Sequence, residues 1–128
     1  MARASARGPE EDAVVDDPGI KVTSETKDGA TIISPEGDVD LSRSPVLRTS
    51  LRQAQTSRPT RLVVDLGQVD YMDSSGVATL VEALQIARRN NTRMVLCGMR
   101  DRVRSIFEIA RLDTVFTIAN SRDEALSV

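Results

Sequence analysis

The chain has no histidine and no tryptophan, one cysteine, two lysines and only three aromatic side chains, Tyr71, Phe107 and Phe116. Each scarcity removes a class of chemistry. Without histidine the usual general base of a serine hydrolase is missing, Gly-x-Ser-x-Gly does not occur, and Lys21 and Lys27 are the only lysine bases. With one cysteine and no histidine, no transition-metal site can be assembled. Cys97 has no partner for an internal disulfide and lies in the apolar run Met94-Val95-Leu96-Cys97, so it reads as a small buried residue of a reducing compartment. Neither Gly-x-x-x-x-Gly-Lys nor Gly-x-Gly-x-x-Gly is present to hold ATP, so any phosphate must come from another protein. A formal charge of −2 and 2% aromatic content offer nucleic acid neither long-range attraction nor a stacking platform. No apolar run reaches the roughly 18 residues of a membrane span. The N-terminus passes from Arg3 and Arg7 to Glu10, Glu11 and Asp12 without a signal-peptide hydrophobic region. A cytoplasmic, non-enzymatic protein without cofactor or metal is expected.

What is present suits one soluble domain: 128 residues, 40% hydrophobic and 28% charged. Its core must use Val, Leu, Ile, Met and Ala, with the three aromatics as its large members. Residues 1–18, rich in Arg, Glu, Asp, Gly and Pro, have almost nothing to bury and read as a disordered tail. Residues 19–128 read as the folded domain. Ile20-Lys21-Val22-Thr23 and Ala30-Thr31-Ile32-Ile33 flank the turn Lys27-Asp28-Gly29, a β-hairpin pattern, which Pro35 and Gly37 should end. Ser44-Pro45 is placed to cap a helix with stripe Val46, Leu47, Leu51 and Ala54, stopped by Arg58-Pro59. Leu62-Val63-Val64 has the composition of a strand buried on both faces, and Val77, Leu80, Val81 and Leu84 follow at helical spacing. Asn90-Asn91 supplies the stop. Met94 to Cys97 is a further buried strand, Asp101 a cap for a helix carrying Val103, Ile106 and Phe107, and Val115 to Ile118 a last edge strand. Ser121 and Glu124 have capping-box spacing ahead of a terminal helix. The predicted fold is α/β: a four- to five-stranded mixed sheet with about four packed helices.

Between the central strand and its helix lies Asp73-Ser74-Ser75-Gly76. A lone serine there would be a cap, but two adjacent hydroxyls leave one to spare: Ser75 can cap while Ser74 stays free. Asp38 and Asp40 sit on an earlier loop. Pro35-Glu36-Gly37 separates them from the strand, which argues against an aspartyl-phosphate centre and for turn formation. Asp65, Asp70 and Asp73 likewise read as turn and cap residues. Arg88, Arg89, Arg93, Arg100, Arg102 and Arg104 make the second half basic, a solvated face by default.

The strand, the run Asp70-Tyr71-Met72-Asp73-Ser74-Ser75-Gly76 and the apolar helix together resemble the STAS family, and within it the bacterial anti-sigma-factor antagonists. Gly37-Asp38-Val39-Asp40-Leu41 with Ser44-Pro45-Val46-Leu47 is similar to that family's earlier signature. Val103-Arg104-Ser105-Ile106-Phe107-Glu108 with Leu112-Asp113-Thr114-Val115-Phe116 is similar to its later one. The resemblance implies a STAS-type fold, phosphorylation at Ser74 rather than Ser75, and a partner-binding surface of Asp38, Asp40, Asp73, Ser74, Ser75 and Gly76. Asp40 matches the family's aspartate. It further implies an anti-sigma factor resembling a histidine-kinase-type serine kinase as partner, and a PP2C-type phosphatase that resets the switch. A second reading within the family is a structural STAS subunit of a lipid-transport ABC complex or a stress-sensing assembly. The chain departs from the family pattern at Asn90-Asn91, in place of a glycine pair, and at Ala110-Arg111, in place of Thr-Gly.

Overall fold

In the computed structural model, which describes residues 12–17 and 19–128, a six-stranded sheet lies in sequence order, β1 to β6. The strands β1 (Ala13–Asp17), β2 (Ile20–Lys27) and β3 (Ala30–Glu36) are antiparallel. From β3 onward the sheet is parallel, through β4 (Arg61–Asp65), β5 (Arg93–Cys97) and β6 (Thr117–Ala119). The β2–β3 turn is tight because Asp28 and Gly29 both adopt positive φ, 51° and 83°, the geometry that matches strand twist. Each parallel step is made by a helix: α1 (Ser44–Ala54), α2 (Ser74–Arg89) and α3 (Asp101–Ile109). A short α4 (Arg122–Ala125) ends the fold.

Alternation along the strands divides the core between the two faces. Leu62 and Val64 point into the larger cluster, with Leu47 and Leu51 of α1, Leu80 and Leu84 of α2, and Val103 and Phe107 of α3. Val63, between them in sequence, points to the other face, where Ile32, Val95, Cys97 and Ala119 meet Ala125 of α4. Phe107 meets Phe116 edge-on at 5.6 Å between ring centroids. Cys97 is buried, and that burial, followed by the charge of Asp65, pushes its thiol up to about 12. The stop at Asn90-Asn91 works as read. Asn91 takes φ 57°, its N–H donates to the Arg88 carbonyl, and the Thr92 N–H reaches the Ala87 carbonyl at 2.8 Å.

Several local readings are corrected. Residues 13–17, read as part of a disordered tail, form edge strand β1; residues 1–11 and 18 lie outside the described residues. An edge strand pairs through its backbone and buries little, so no apolar alternation announced it. This strand brings the sheet to six where four or five were expected, and the last strand, expected over Val115 to Ile118, runs instead over Thr117–Ala119. Pro35 does not end β3 but lies within it, beyond the last residue paired to β4. Ser44 and Asp101 are first helical residues rather than caps. Ser121 does cap α4, accepting from the Glu124 N–H, whereas the Glu124 carboxylate reaches back to the Asn120 amide instead of that of Ser121. Tyr71, assigned to the core, is 42% exposed.

Candidate functional site

The parallel strands β3 and β4 end together, and the two loops that leave them are joined by main-chain hydrogen bonds. Gly37 N–H donates to the Gln68 carbonyl at 3.1 Å, Val39 N–H to that of Tyr71 at 2.9 Å, and Asp73 N–H returns to that of Val39 at 3.1 Å. The sheet is thereby extended beyond its side-chain core as a narrow ribbon. Val39 and Met72, paired across it, are both fully buried. Gly76, in the first turn of α2, rests directly on them: a Cβ there would lie 2.6 Å from Met72 Cγ and 2.9 Å from Val39 Cγ1. Glycine at this position is a condition of close approach between helix and loops.

Asp73, extended at ψ −172°, is the cap of α2. Its Oδ1 accepts the Ser75 N–H at 2.9 Å, the Gly76 N–H at 3.3 Å and the Ser75 hydroxyl at 2.5 Å. The Ser75 hydroxyl, followed by the Gly76, Ser75 and Leu41 amides, outweighs partial burial and holds the Asp73 carboxyl below the usual range. The cap is therefore Asp73 and not Ser75, because Asp73 has the extended backbone that precedes the helix whereas Ser75 already lies in its first turn. Ser75 is half-buried and committed to that carboxylate. Ser74, the first residue of α2, is exposed, and its hydroxyl makes no hydrogen bond among the described residues.

Asp40 organises the neighbouring loop in the same manner. Its Oδ1 accepts the Ser42 N–H, the Ser42 hydroxyl and the Arg43 N–H, and its Oδ2 pairs with the Arg43 guanidinium at 2.6 Å. Its carbonyl accepts the Arg43 and Ser44 amides, so Asp40 performs the start of α1 that was assigned to Ser44. Burial pushes its carboxyl up, but the Ser42 hydroxyl, the Arg43 amide and charge, and the Ser42 amide hold it below its usual range. Asp38 is exposed. The loop ribbon thus brings Asp38, Asp40 and Asp73–Gly76 to one end of the sheet. Of the other carboxylates, Asp65 caps the Gly67 amide at 2.9 Å and pairs with Arg122, while Asp70 pairs with Arg100, whose Nε also donates to the Gly67 carbonyl.

Sequence reasoning missed the apolar part of this surface. Leu41 is 76% exposed and Tyr71 42%, on the two joined loops. Leu41 was legible, in that it lies between Asp40 and Ser42 and off the stripe of α1. Tyr71 was not, since its parity relative to buried Met72 depends on the main-chain pairing. The arginines of the second half do not form one face. Arg88, Arg89 and Arg93 belong to the far end, at the close of α2 and the start of β5, whereas Arg100 and Arg102 stand at the start of α3. Among the described residues no helix is long and apolar enough to cross a membrane.

Comparison with known proteins agrees with this geometry. The chain is 31% identical over 106 residues to BtrV of Bordetella bronchiseptica, covering 83% of this chain and 91% of BtrV. It is 33% identical over 88 residues to the anti-sigma-B factor antagonist of Listeria monocytogenes, covering 69% and 77% of the two. In fold it is similar to a crystal structure of an anti-sigma factor antagonist from Mycobacterium paratuberculosis, with a TM-score of 0.80 at 23% identity over 88% of this chain and 97% of that one. The STAS domain profile matches residues 21–125, and the chain belongs to the STAS domain family.

Proposed function

We propose that this chain is an anti-sigma factor antagonist, a binding switch rather than an enzyme, acting in the cytoplasm and controlled by phosphorylation of Ser74. One observation carries the reading. The Ser74 hydroxyl is exposed and uncommitted, while its neighbours Asp73, Ser75 and Gly76 are fixed by hydrogen bonds or by packing. The docking surface is the loop ribbon with the start of α2, comprising Asp38, Asp40 and Asp73 through Gly76, with Leu41 and Tyr71 as its apolar anchors. The partner is an anti-sigma factor of the histidine-kinase-like serine kinase type, which is both what the surface binds and what modifies it. Unphosphorylated, the chain occupies the anti-sigma factor and frees a sigma factor for transcription. A PP2C-type phosphatase restores that state.

Electrostatics suffices for the release. A phosphoryl group adds about −1.5 to −2 charges beside the Asp73 carboxylate. Two unit charges about 4 Å apart at an effective dielectric of 20 interact by about 4 kcal/mol, and screening confines the effect to roughly 8 Å. A differential of about 3 kcal/mol weakens binding more than a hundredfold. The fold is spared, since added negative charge is tolerated at a helix N-terminus. The test is incubation with ATP and the candidate kinase, followed by mass spectrometry and pull-downs with Ser74→Ala and Ser74→Asp. A phosphate on Ser74, with binding kept by alanine and lost by aspartate, is expected; equal binding by both variants contradicts the reading.

A further inference from the structure

At the opposite end of the parallel strands lies a cleft of about 380 Å³, walled by the β2–β3 turn and by the segment that leads from α1 into β4. Its two walls are fastened together. The Thr60 amide and hydroxyl both donate to the Gly29 carbonyl, at 3.2 and 3.1 Å, so the cleft is preformed. Lys27 and Arg58 line it, and neither has an ion-pair or hydrogen-bond partner for its side chain among the described residues. Arg43, Arg48, Arg52, Arg100 and Arg122 are each held by a carboxylate, whereas Lys21, Arg88, Arg89, Arg102, Arg104 and Arg111 share the unpaired state of Lys27 and Arg58 but do not line this cleft. Arg58 sits at φ 49° and ψ 61°, a left-handed conformation that glycine or asparagine takes with less strain. That conformation ends the short helical turn Gln55–Ser57 and leaves Arg58 exposed among the residues that line the cleft. Asp28, also exposed, shares the lining and adds a carboxylate to it.

We propose that this cleft binds a small sugar phosphate. The Lys27 ammonium and the Arg58 fork hold the phosphate dianion by charge-assisted hydrogen bonds. Asp28 accepts from a sugar hydroxyl and discriminates against bare anions, which bring it charge without a donor. The volume lies near the lower bound of small-molecule sites, which fits a pentose phosphate rather than a dinucleotide. A neighbouring cleft of about 320 Å³ shares Lys27, Asp28 and Thr60 and leaves room for a longer sugar chain. The site is separated from Ser74 by the length of β4, and it operates whether or not Ser74 is a switch.

The experiment is a titration of the full chain with ribose 5-phosphate, followed by amide proton–nitrogen correlation spectra. Saturable shifts are expected at residues 27–31 and 57–60. Arg58→Gly, which suits the backbone while removing the guanidinium, should weaken binding by about tenfold or more, and Lys27→Gln should do likewise with an unchanged Tm. Free ribose should not bind. The proposal is overturned by an absence of saturable shifts, by shifts that survive both substitutions, or by inorganic phosphate binding as tightly as the sugar phosphate.

Discussion

The two ends of the parallel sheet are built from different connections, strand-to-helix loops at one and a hairpin turn with a helix-to-strand segment at the other, and are opposite in character. At the end where β3 and β4 finish, the loops are joined by main-chain hydrogen bonds, and the carboxylates of Asp40 and Asp73 are turned inward onto amides and hydroxyls. That arrangement leaves outside the free hydroxyl of Ser74, the side chains of Leu41 and Tyr71, and a negative fringe. At the end where β4 begins, the connections enclose a cleft, and Lys27 and Arg58 in its lining have no side-chain partner among the described residues. A surface to be switched by added charge needs a rigid base, so that repulsion acts on the partner and not on the fold. A cleft needs free charges. The basic second half of the sequence, divided between the two ends, shows that charge along the chain says little until the turns are known.

The largest expected difference between the ends is in partner binding. Tyr71→Ala should weaken binding of the kinase partner by about 2 kcal/mol, the size of an interface anchor, while Arg58→Gly at the far end leaves it unchanged; calorimetry on both variants decides. Rigidity of the switch end is tested next by Gly76→Ala. Helix propensity alone would favour alanine by about 1 kcal/mol. The contacts a Cβ would make with Met72 and Val39 should outweigh this, because overpacking costs about 1–3 kcal/mol, so urea denaturation should show net destabilisation. A smaller loss, about 1 kcal/mol, is expected for Asp73→Ala, with Asp73→Ser recovering most of it, since either side chain can cap.

The smallest effect lies on the helix layer between the ends, where Glu82 of α2 accepts from Arg48 and Arg52 of α1 at 2.6–2.9 Å. These hydrogen bonds lower its carboxyl from 4.5 to about 2. A depressed acid stabilises the fold fully above its unfolded value and loses that contribution as pH falls through its folded one. The Tm advantage of the native chain over Glu82→Gln should therefore shrink below about pH 4.5 and vanish near 2. It should be modest throughout, because the two guanidinium groups are half exposed and screened.

Much of the fold was legible in the residues. Leu62-Val63-Val64 reads as a two-faced strand because both faces are in fact covered, Asp28-Gly29 as a hairpin turn because both residues tolerate positive φ, and Asn90-Asn91 as a stop because Asn91 does. What escaped reading is carried by the backbone. Strand β1 is held by pairing with β2 and by Asp12 accepting the Thr26 amide, neither of which requires an apolar pattern. Tyr71 is turned outward by the register of Val39 against Met72, a pairing between loops with no local signature. The Asp73-Ser74-Ser75 segment was legible as a site but not in its division of labour. Which oxygen caps depends on the extended backbone of Asp73, and that in turn on its amide being held by Val39.

The most direct measurement compares the kinase partner's affinity for the chain with and without a phosphate on Ser74, alongside amide spectra of both forms. Affinity should fall more than hundredfold, about 3 kcal/mol, with spectral changes confined to the two joined loops and the first turn of α2. Undiminished affinity, or changes running through the core strands, would contradict a switch that acts on its partner while the fold stays still.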